Sequence, residues 1–508
     1  MDEGLQDNKR IAKNTLLLYG RMFLLLAINL YASRVILQVL GIEDYGIYNV
    51  VAGVVTMFAF LNNAMASATQ RYLNFDLAKN DKENLKKTFC TSLIIHFIIA
   101  IVIILLSESI GLWFLYHKMV IPLERFNAAL LVFQCALLSL AINIVSVPYN
   151  AAIIAHEKMS AFAYISLLEA IFKLGILYLL FVSPFDRLCT YAILLLIVSL
   201  IQRLVYSYYS NKNFKETKFI WCFDVARIKD MGAFASWNLL GYLALMGVTQ
   251  GLNMVLNVFF GPMVNAARGI AVQVQNALAQ FASNMQMAIN PMITKSYAAN
   301  NLDYMRSLIC RGAKFSFFMI LILSVPIFVM TDQILSLWLE TPPAYAASFV
   351  KILIVLILVD CLSNPLNNAI NATGNIRNFQ FINGGLMLLV IPVSVLILYF
   401  KGDPNIVFFT QLAFTIITHG IKLGFTCKRT ALTFNVFFYK VYMPCITVSI
   451  SLFAIMSLWN RICGETIICL ILSMIISALS GSLLCYFLGL DKSERKMVDS
   501  KITKLLNR

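Results

Sequence analysis

Residues 21–80 read RMFLLLAINLYASRVILQVLGIEDYGIYNVVAGVVTMFAFLNNAMASATQRYLNFDLAKN, two long apolar segments joined by the motif Gly41-Ile42-Glu43-Asp44-Tyr45-Gly46. Each segment is long enough to cross a bilayer as a helix, which takes roughly 20 residues. The stretch also carries Arg34 and Arg71, where a helix that faces lipid should carry no charge. It therefore predicts a membrane hairpin whose charges need a polar surrounding.

The composition of the whole chain agrees with a membrane protein. Of its 508 residues, 60% are hydrophobic and only 13% are charged, and the mean hydropathy is +0.79. A water-soluble globule could not bury that much apolar surface. We interpret the net charge of +15 as the basic cytoplasmic surface of a membrane protein, and we expect no nucleic-acid partner.

The cysteines and histidines predict neither a disulfide framework nor a metal site. The eleven cysteines include no C-x-x-C pair, and most of them lie in apolar segments, as Cys135, Cys361 and Cys445 do. We therefore expect them to behave as small buried hydrophobic residues. The four histidines are scattered without ligand spacing, so we predict no metal and no cofactor.

Fourteen segments are long and apolar enough to span a membrane, and their continuous hydrophobicity favours helices over barrel strands. Lys and Arg concentrate in alternate connections, beginning with the N-terminal tail, which predicts that both termini are cytoplasmic. The predicted spans are 13–39, 47–75, 88–115, 125–152, 159–182, 188–211, 232–258, 264–298, 307–331, 345–370, 378–400, 404–427, 437–458 and 465–489.

An internal repeat relates the two halves of the chain. Gly41 and Asn80 match Gly261 and Asn300, 220 residues later. A second match, at an offset of 217, pairs Pro148-Tyr149-Asn150-Ala151-Ala152-Ile153-Ile154-Ala155 with Pro365-Leu366-Asn367-Asn368-Ala369-Ile370-Asn371-Ala372. Equivalent positions are six spans apart, so both halves enter the membrane in the same direction, and a parallel repeat predicts a substrate path between them.

The repeat divides the chain into an all-α polytopic membrane protein of two pseudo-symmetric six-helix lobes plus two C-terminal helices. We predict an N-lobe in 1–211, a cytoplasmic linker in 212–231 and a C-lobe in 232–427. Residues 428–508 would add the last two spans and a basic cytoplasmic tail.

Polar residues form stripes along the first two spans of each half, because positions three and four apart share a helix face. Two readings stay open at this point: hydrogen bonds that only hold the helices together, or the polar wall of a cavity, which we favour because four stripes match. The stripe residues proposed to bind substrate are Asn63, Gln70, Asn253, Asn257, Gln280 and Asn284.

Four arginines within predicted spans have no acidic partner near them in sequence: Arg21, Arg34, Arg71 and Arg268. A charge at mid-bilayer costs about 2.5–3.5 kcal/mol even on the lenient insertion scale. A hydrated cavity that receives an anion explains several of them at once. Because the guanidinium fork can bind two oxygens, a phosphate group is a suitable anion.

Two acidic residues within spans are candidates for coupling transport to Na⁺ or H⁺. Glu169 lies four residues before Lys173, a spacing that favours an ion pair on one helix. Asp360 lies in mid-span, four residues before Asn364, and either binds a cation or proton or pairs with a cavity arginine.

Three motifs carry a resemblance to a known family. Gly41–Tyr48 (GIEDYGIY), Asn265–Ala271 (NAARGIA) and Asn290–Ala298 (NPMITKSYA) resemble bacterial polysaccharide (O-antigen type) flippases of the multidrug/oligosaccharidyl-lipid/polysaccharide exporter superfamily. The six-plus-six-plus-two arrangement of spans is similar to the plan of that family. By the resemblance, Arg34 and Arg268 are the best candidates for cationic cavity positions, and Arg21, Arg71 and Arg203 are further ones.

The resemblance implies a V-shaped pair of lobes in the bacterial inner membrane. They would move an undecaprenyl-pyrophosphate-linked oligosaccharide from the cytoplasmic to the outer leaflet by alternating access. We expect a monomer surrounded by membrane lipids. The alternative is a cation-coupled multidrug antiporter, although span one lacks the acid that such exporters commonly carry there. We expect no enzyme, because the chain has no long loop for a catalytic domain and no GxxxxGKS or GxxxxGKT motif.

Overall fold

The structure is a computed structural model that describes residues 2–56, 60–117, 121–218, 224–339, 342–430, 432–464, 466–496 and 499. The described residues form helices and the turns between them, with no strand among them. The predicted all-α class is therefore confirmed. Helices suit this chain because hydrocarbon offers backbone groups no partner outside their own segment.

Sixteen α-helices, numbered in chain order, make up the described part of the chain. They are α1 (Asp2–Thr56), α2 (Phe60–Ala78), α3 (Lys82–Leu106), α4 (Leu112–His117), α5 (Phe126–Ala155), α6 (Met159–Val182), α7 (Arg187–Asn213), α8 (Val225–Ala298), α9 (Leu302–Val329), α10 (Thr331–Leu339), α11 (Ala346–Thr373), α12 (Arg377–Lys401), α13 (Asn405–Arg429), α14 (Phe434–Phe437), α15 (Met443–Ile462) and α16 (Ile467–Leu484).

Eleven helical segments in the described part are long and apolar enough to cross a membrane. The other three predicted spans, 13–39, 47–75 and 264–298, fall in α1, across α1 and α2, and in the second half of α8. These are spans on which the sequence places polar stripes and arginines. The described parts of all three are helical.

The internal repeat is present in the backbone. Gly41 inside α1 and Gly261 inside α8 adopt nearly the same non-helical conformation, with φ/ψ of 80/170 and 77/−175. This region of φ/ψ space is essentially restricted to glycine, because any Cβ would be strained there. Each glycine kinks a long helix at the same point of the repeat, which confirms the alignment at an offset of 220.

The turn that follows α2 has the same conformation as the turn that follows α8. Asn80 and Asn300 have left-handed φ values of 53 and 56. The next residues, Asp81 and Asn301, cap α3 and α9 by accepting the backbone N–H three residues on. At Asp81 the hydrogen bond from the N–H of Asn84 lowers the pKa of the carboxyl group. The two halves thus turn with the same local chemistry.

The chain divides into two compact units, residues 1–242 and 243–508, and the division falls inside α8. In the first unit α5 packs against α3 and α7, around a buried cluster that includes Val132 and Phe133. In the second unit α11 packs against α9 and α13, and α15 and α16 pack on α9. The finer lobe and linker boundaries, at 211, 231 and 427, stay predictions.

The motif that follows the first kink is fixed in place by an ion pair. Asp44 is buried, and Arg125, just before α5, donates from Nε to its Oδ1 at 2.9 Å. Arg125 also bonds Asp186 at the start of α7. The acid of the Gly41–Tyr48 motif therefore ties the kinked helix to the neighbouring helix ends of the first unit.

One expectation about the cysteines is wrong. Cys463 and Cys469 form a disulfide, with a Cα–Cα distance of 6.0 Å. Cys463 caps the end of α15 and Cys469 lies in the first turn of α16, so the short connection brings the two thiols together. Cys463 follows one apolar segment and Cys469 begins the next, so their pattern did not differ from that of the other cysteines.

This disulfide makes the predicted topology testable, because disulfides persist in oxidising compartments outside the cytoplasm. The connection that holds Cys463 and Cys469 is one that the Lys and Arg bias places on the non-cytoplasmic side. On intact bacterial spheroplasts, we expect a membrane-impermeant maleimide to label the chain at this pair only after an impermeant reductant.

The double variant Cys463→Ser, Cys469→Ser should lose the reductant-dependent label. Labelling of this pair only in inside-out vesicles would reverse the orientation and place both termini outside.

Candidate functional site

Two of the arginines in the first unit are stacked on aromatic rings. The guanidinium carbon of Arg21 lies 4.6 Å from the ring centre of Phe162. That of Arg71 lies 4.8 Å from Tyr72 and 5.0 Å from Phe234. A desolvated cation–π contact contributes about 2 kcal/mol. The rings offset part of the free-energy cost of burying the two guanidinium groups.

Arg203, the further candidate on α7, has the same kind of partner. Its guanidinium carbon lies 4.2 Å from the ring centre of Tyr149, on α5. Phe162, Phe234 and Tyr149 are distant in sequence from the arginines that they contact, so the sequence did not predict these contacts. Tyr72 and Phe75 are ring partners of Arg71 that lie near it in sequence.

Arg268 is held by neutral acceptors in the second unit. It is 7% exposed, its Nη1 donates to Oδ1 of Asn253, and its Nη2 donates to the carbonyl of Thr249 at 2.9 Å. Residues 253 and 268 would be about 22 Å apart along a straight helix. Their contact shows that the chain doubles back at the Gly261 kink. The Nε of Arg268 is buried and has no hydrogen-bond partner among the described residues.

Glu169 is the centre of a polar network on α6 and α7. Its Oε1 pairs with Nζ of Lys173 at 2.7 Å, which confirms the expected ion pair. Its Oε2 accepts from Nε2 of Gln202 at 2.6 Å. Arg21 and Tyr206 are near enough to interact with this carboxylate electrostatically. Glu169 therefore acts first as the acceptor that organises this part of the unit.

A cavity of about 350 Å³ opens beside this network within the first unit. Tyr48 of α1, Asn143 of α5, Glu169 and Lys173 of α6 and Ser199 of α7 contribute to its wall. It is large enough for several water molecules, each of which takes about 30 Å³. A carboxylate at a hydrated wall can bind a proton or a cation, so the geometry keeps Glu169 as an ion-coupling candidate.

The second unit has a polar network of its own, between α11 and α13. Oγ of Ser363 and Nδ1 of His419 lie 2.6 Å apart, and Nε2 of His419 lies 2.6 Å from the hydroxyl of Tyr442. Asp360, one turn before Ser363, interacts electrostatically with Lys422, one turn after His419. No ion pair within 4.0 Å joins Asp360 to another described residue. The carboxylate of Asp360 therefore lacks the direct cationic partner that Glu169 has in Lys173.

The remaining stripe residues do not form one cluster in the described structure. Asn63, Asn257 and Gln280 are exposed, and Gln70 is half-buried. Asn284 is buried and donates to the carbonyl of Gln280 at 2.9 Å, a contact within one helical turn. The structure joins only Asn253 to an arginine. The side chain of Arg34, named above as a cavity position, lies outside the described residues.

No metal-binding group of three or more His, Cys, Asp or Glu side chains occurs within the described ranges. Glu169 has Lys173 and Gln202 as its neighbours, and Asp360 interacts with Lys422. Such surroundings suit a proton or a monovalent cation better than a transition metal, which favours several nitrogen or sulfur ligands.

The fold of the chain is similar to that of several solved structures. Residues 239–396 match the family model MatE, which covers less than half of the chain. An outward-facing multidrug resistance MATE family transporter of the MOP superfamily is 16% identical with a TM-score of 0.67, over 83% of this chain and 96% of that chain. This chain has the MATE fold. No protein of curated function matches it in sequence.

Two further MATE-fold structures show the same degree of similarity. A MATE protein in a straight conformation is 17% identical with a TM-score of 0.67, over 83% of this chain and 96% of that one. A MOP superfamily transporter from Pyrococcus furiosus is 16% identical with a TM-score of 0.65 over the same shares, and is described as having a binding pocket of reverse polarity that suggests a different function. Likeness at this level of identity concerns the fold, and function has to be argued from residues.

The contact between Arg268 and Asn253 predicts a measurable stability effect. Asn253→Ala removes a hydrogen-bond acceptor from a buried cation, which costs about 1–3 kcal/mol. We expect a lower midpoint of thermal unfolding for the purified protein in detergent. Asn257→Ala, one turn further along the same helix at an exposed position, should shift the midpoint little. Equal shifts for the two variants would show that Asn253 does not support Arg268.

Proposed function

We propose that this chain is a flippase that moves an undecaprenyl-pyrophosphate-linked oligosaccharide from the cytoplasmic to the outer leaflet of the bacterial inner membrane by alternating access. The observation that carries the proposal is Arg268, a buried cation in a polar span whose partners are all neutral. A cation kept without an acid attracts an anion.

The chemistry of Arg268 suits a phosphate group. Its guanidinium uses Nη1 and Nη2 on Asn253 and Thr249, and its Nε lacks a partner among the described atoms. An arginine can present two parallel donors to a phosphate, and bonds between charged groups are about twice as strong as neutral ones. Arg71 is a further cation, in the other half of the sequence repeat, and its guanidinium is stacked on aromatic rings. Together with Arg34, these residues support recognition of a pyrophosphate.

The exposed amides supply the second element of the proposed substrate. Asn63, Asn257 and Gln280 have exposed side chains on α2 and α8. Amide groups both donate and accept hydrogen bonds, as the hydroxyl groups of sugars do. We propose that these residues contact the oligosaccharide, whose identity they leave open.

The membrane potential can drive such an export step. An interior-negative potential favours outward movement of a negative head group by about 2.3 kcal/mol per charge for every 100 mV. A pyrophosphate carries more than one negative charge, so the potential alone offers a substantial driving force. Coupling to Na⁺ or H⁺ through Asp360 or Glu169 is an additional route.

A cation-coupled multidrug antiporter is the second candidate. Two carboxylates within spans, Glu169 and Asp360, favour it, and so does the similarity to a transporter described as a multidrug resistance protein. Another similar structure is a MOP superfamily transporter that is described as having a binding pocket of reverse polarity. The charge of the cargo therefore has to be inferred from the residues of this chain and not from the shared fold. In this chain the membrane arginines outnumber those acids.

The remaining features of the proposal follow from the same reading. We propose a monomeric transporter and no enzyme, with both termini in the cytoplasm and membrane lipids as its surroundings. The basic connections support this orientation through the positive-inside rule.

Reconstitution of the full chain in proteoliposomes tests the cargo. A fluorescent undecaprenyl-pyrophosphate oligosaccharide should cross to the far leaflet, where an impermeant glycosidase can reach it. Arg268→Ala should slow this transfer about tenfold or more, since a hydrogen bond to a charged group is worth about 1.5–3 kcal/mol. Arg268→Lys should retain part of the rate.

Arg461→Ala serves as a matched control, because Arg461 is exposed at the end of α15. It should leave the rate unchanged. A wild-type rate for a folded Arg268→Ala protein would refute the proposed role. Transport of a cationic dye without transfer of the lipid-linked sugar would favour the antiporter.

Ion coupling can be tested on the same vesicles with imposed gradients of Na⁺ or H⁺. We expect Asp360→Asn to abolish the dependence of transport on the gradient, because its carboxylate has no ion pair within 4.0 Å among the described residues. Glu169→Gln should keep that dependence and lower thermal stability, since Glu169 is already paired with Lys173. An Asp360→Asn protein with undiminished gradient dependence would remove Asp360 from any coupling scheme.

A further inference from the structure

A small basic pocket lies in the second unit at the start of α9. It has a volume of about 110 Å³ and is bounded by α9, by the segment that leads into α15 and by the residues that follow α16. Four cationic side chains line it: Arg306, Arg311, Lys314 and Lys440. The helix ends that meet here are ones for which the sequence predicts the cytoplasmic side.

The acids in the pocket are already occupied. Glu494 bonds Nζ of Lys314 at 2.5 Å and lies 3.7 Å from Nε of Arg311. Asp303 pairs with Arg306 at 2.9 Å. The third acid, Asp491, accepts backbone N–H groups of the two residues that follow it by two and three positions. Four cations and three acids leave one excess positive charge.

Lys440 supplies that excess charge. Its side chain is exposed, and no acid of the described chain lies within ion-pair distance of its ammonium group. Lys314, by contrast, is 3% exposed and fully engaged with Glu494. The buried part of the pocket therefore contains the ion pair of Lys314 and Glu494, and Lys440 is an exposed cation at its opening. A group with a single negative charge would neutralise it.

An apolar face begins directly beside Lys440. Tyr439, Met443, Ile446 and Ile450 are all exposed, and their spacing of three or four residues puts them on one face of the helix. Exposed aromatic residues, here Tyr439, are typical of the depth of lipid head groups. The mouth of the pocket is thus continuous with a surface suited to acyl chains.

We propose that this pocket binds the phosphodiester head group of an anionic phospholipid, whose acyl chains lie along the exposed face of α15. The phosphodiester carries one negative charge, which matches the one excess cation. The adjoining apolar face distinguishes a lipid from free phosphate. Basic pockets at the cytoplasmic end of membrane helices are suited to anionic head groups.

The site is independent of the transported cargo. None of its lining residues is among those proposed above to bind the cargo, and it is built partly by residues after α16, which Glu494 anchors to α9. A bound lipid would also hold this C-terminal segment, because head group, Lys440 and the Glu494 ion pairs share one small space.

Native mass spectrometry of the full chain in neutral detergent tests the proposal by titration with defined lipids. We expect phosphatidylglycerol to bind more tightly than phosphatidylcholine of the same acyl chains. Lys440→Gln should weaken the affinity for phosphatidylglycerol about fivefold, which corresponds to about 1 kcal/mol per basic residue at an anionic surface. Inorganic phosphate at millimolar concentration should not displace the lipid.

Lys428→Gln is the matched control, since Lys428 is an exposed lysine in the last turn of α13 and does not line the pocket. It should leave the affinity unchanged. Equal affinity for the two lipids, equal losses in the two variants or displacement by phosphate would each overturn the proposal. None of these results bears on transfer of the lipid-linked sugar, so the two proposals fail separately.

Discussion

Hydrocarbon provides no hydrogen-bond partners, and this constraint governs the whole chain. Each backbone group in a span has to be satisfied within its own helix, which is why helices account for nearly all of the described residues. At the matching bends and turns of the two halves, the chain uses residues that tolerate positive φ. Gly41 and Gly261 kink the two longest helices, and Asn80 and Asn300 begin the turns that follow. The fold is organised around these few positions.

The same constraint acts on charged side chains, which are stabilised either by an opposite charge or by neutral groups. Glu169 and Lys173 form an ion pair at 2.7 Å, so each charge is largely neutralised by the other. Arg268 is instead bound by neutral oxygens, which lower the burial cost without cancelling the charge. A charge maintained in this way stays available to a ligand. The difference between paired and maintained charges, more than their number, identifies the residues suited to an anionic cargo.

The sequence was informative where a feature depends on local pattern. Hydropathy located the spans, and the matches Gly41 to Gly261 and Asn80 to Asn300 predicted a repeat that the backbone reproduces. Contacts between distant segments were not accessible. The stacking of Arg21 on Phe162 joins residues 141 positions apart, and no periodicity encodes such a pair. Side-chain charge within spans therefore predicted that the arginines matter, without predicting what stabilises them.

The repeat also shows how one backbone came to hold two different polar centres. At the offset of 217 that aligns Pro148 with Pro365, Asp360 corresponds to Asn143. Asn143 lines the cavity next to Glu169, and Asp360 faces Lys422. Equivalent helices thus carry an amide in the first unit and a carboxylate in the second. The first unit takes its acid from α6 and pairs it, while the second takes its acid from α11 and leaves it without a direct ion pair in the described structure. Because an acid without such a partner gains more from binding a proton or cation, the asymmetry favours ion coupling in the second unit.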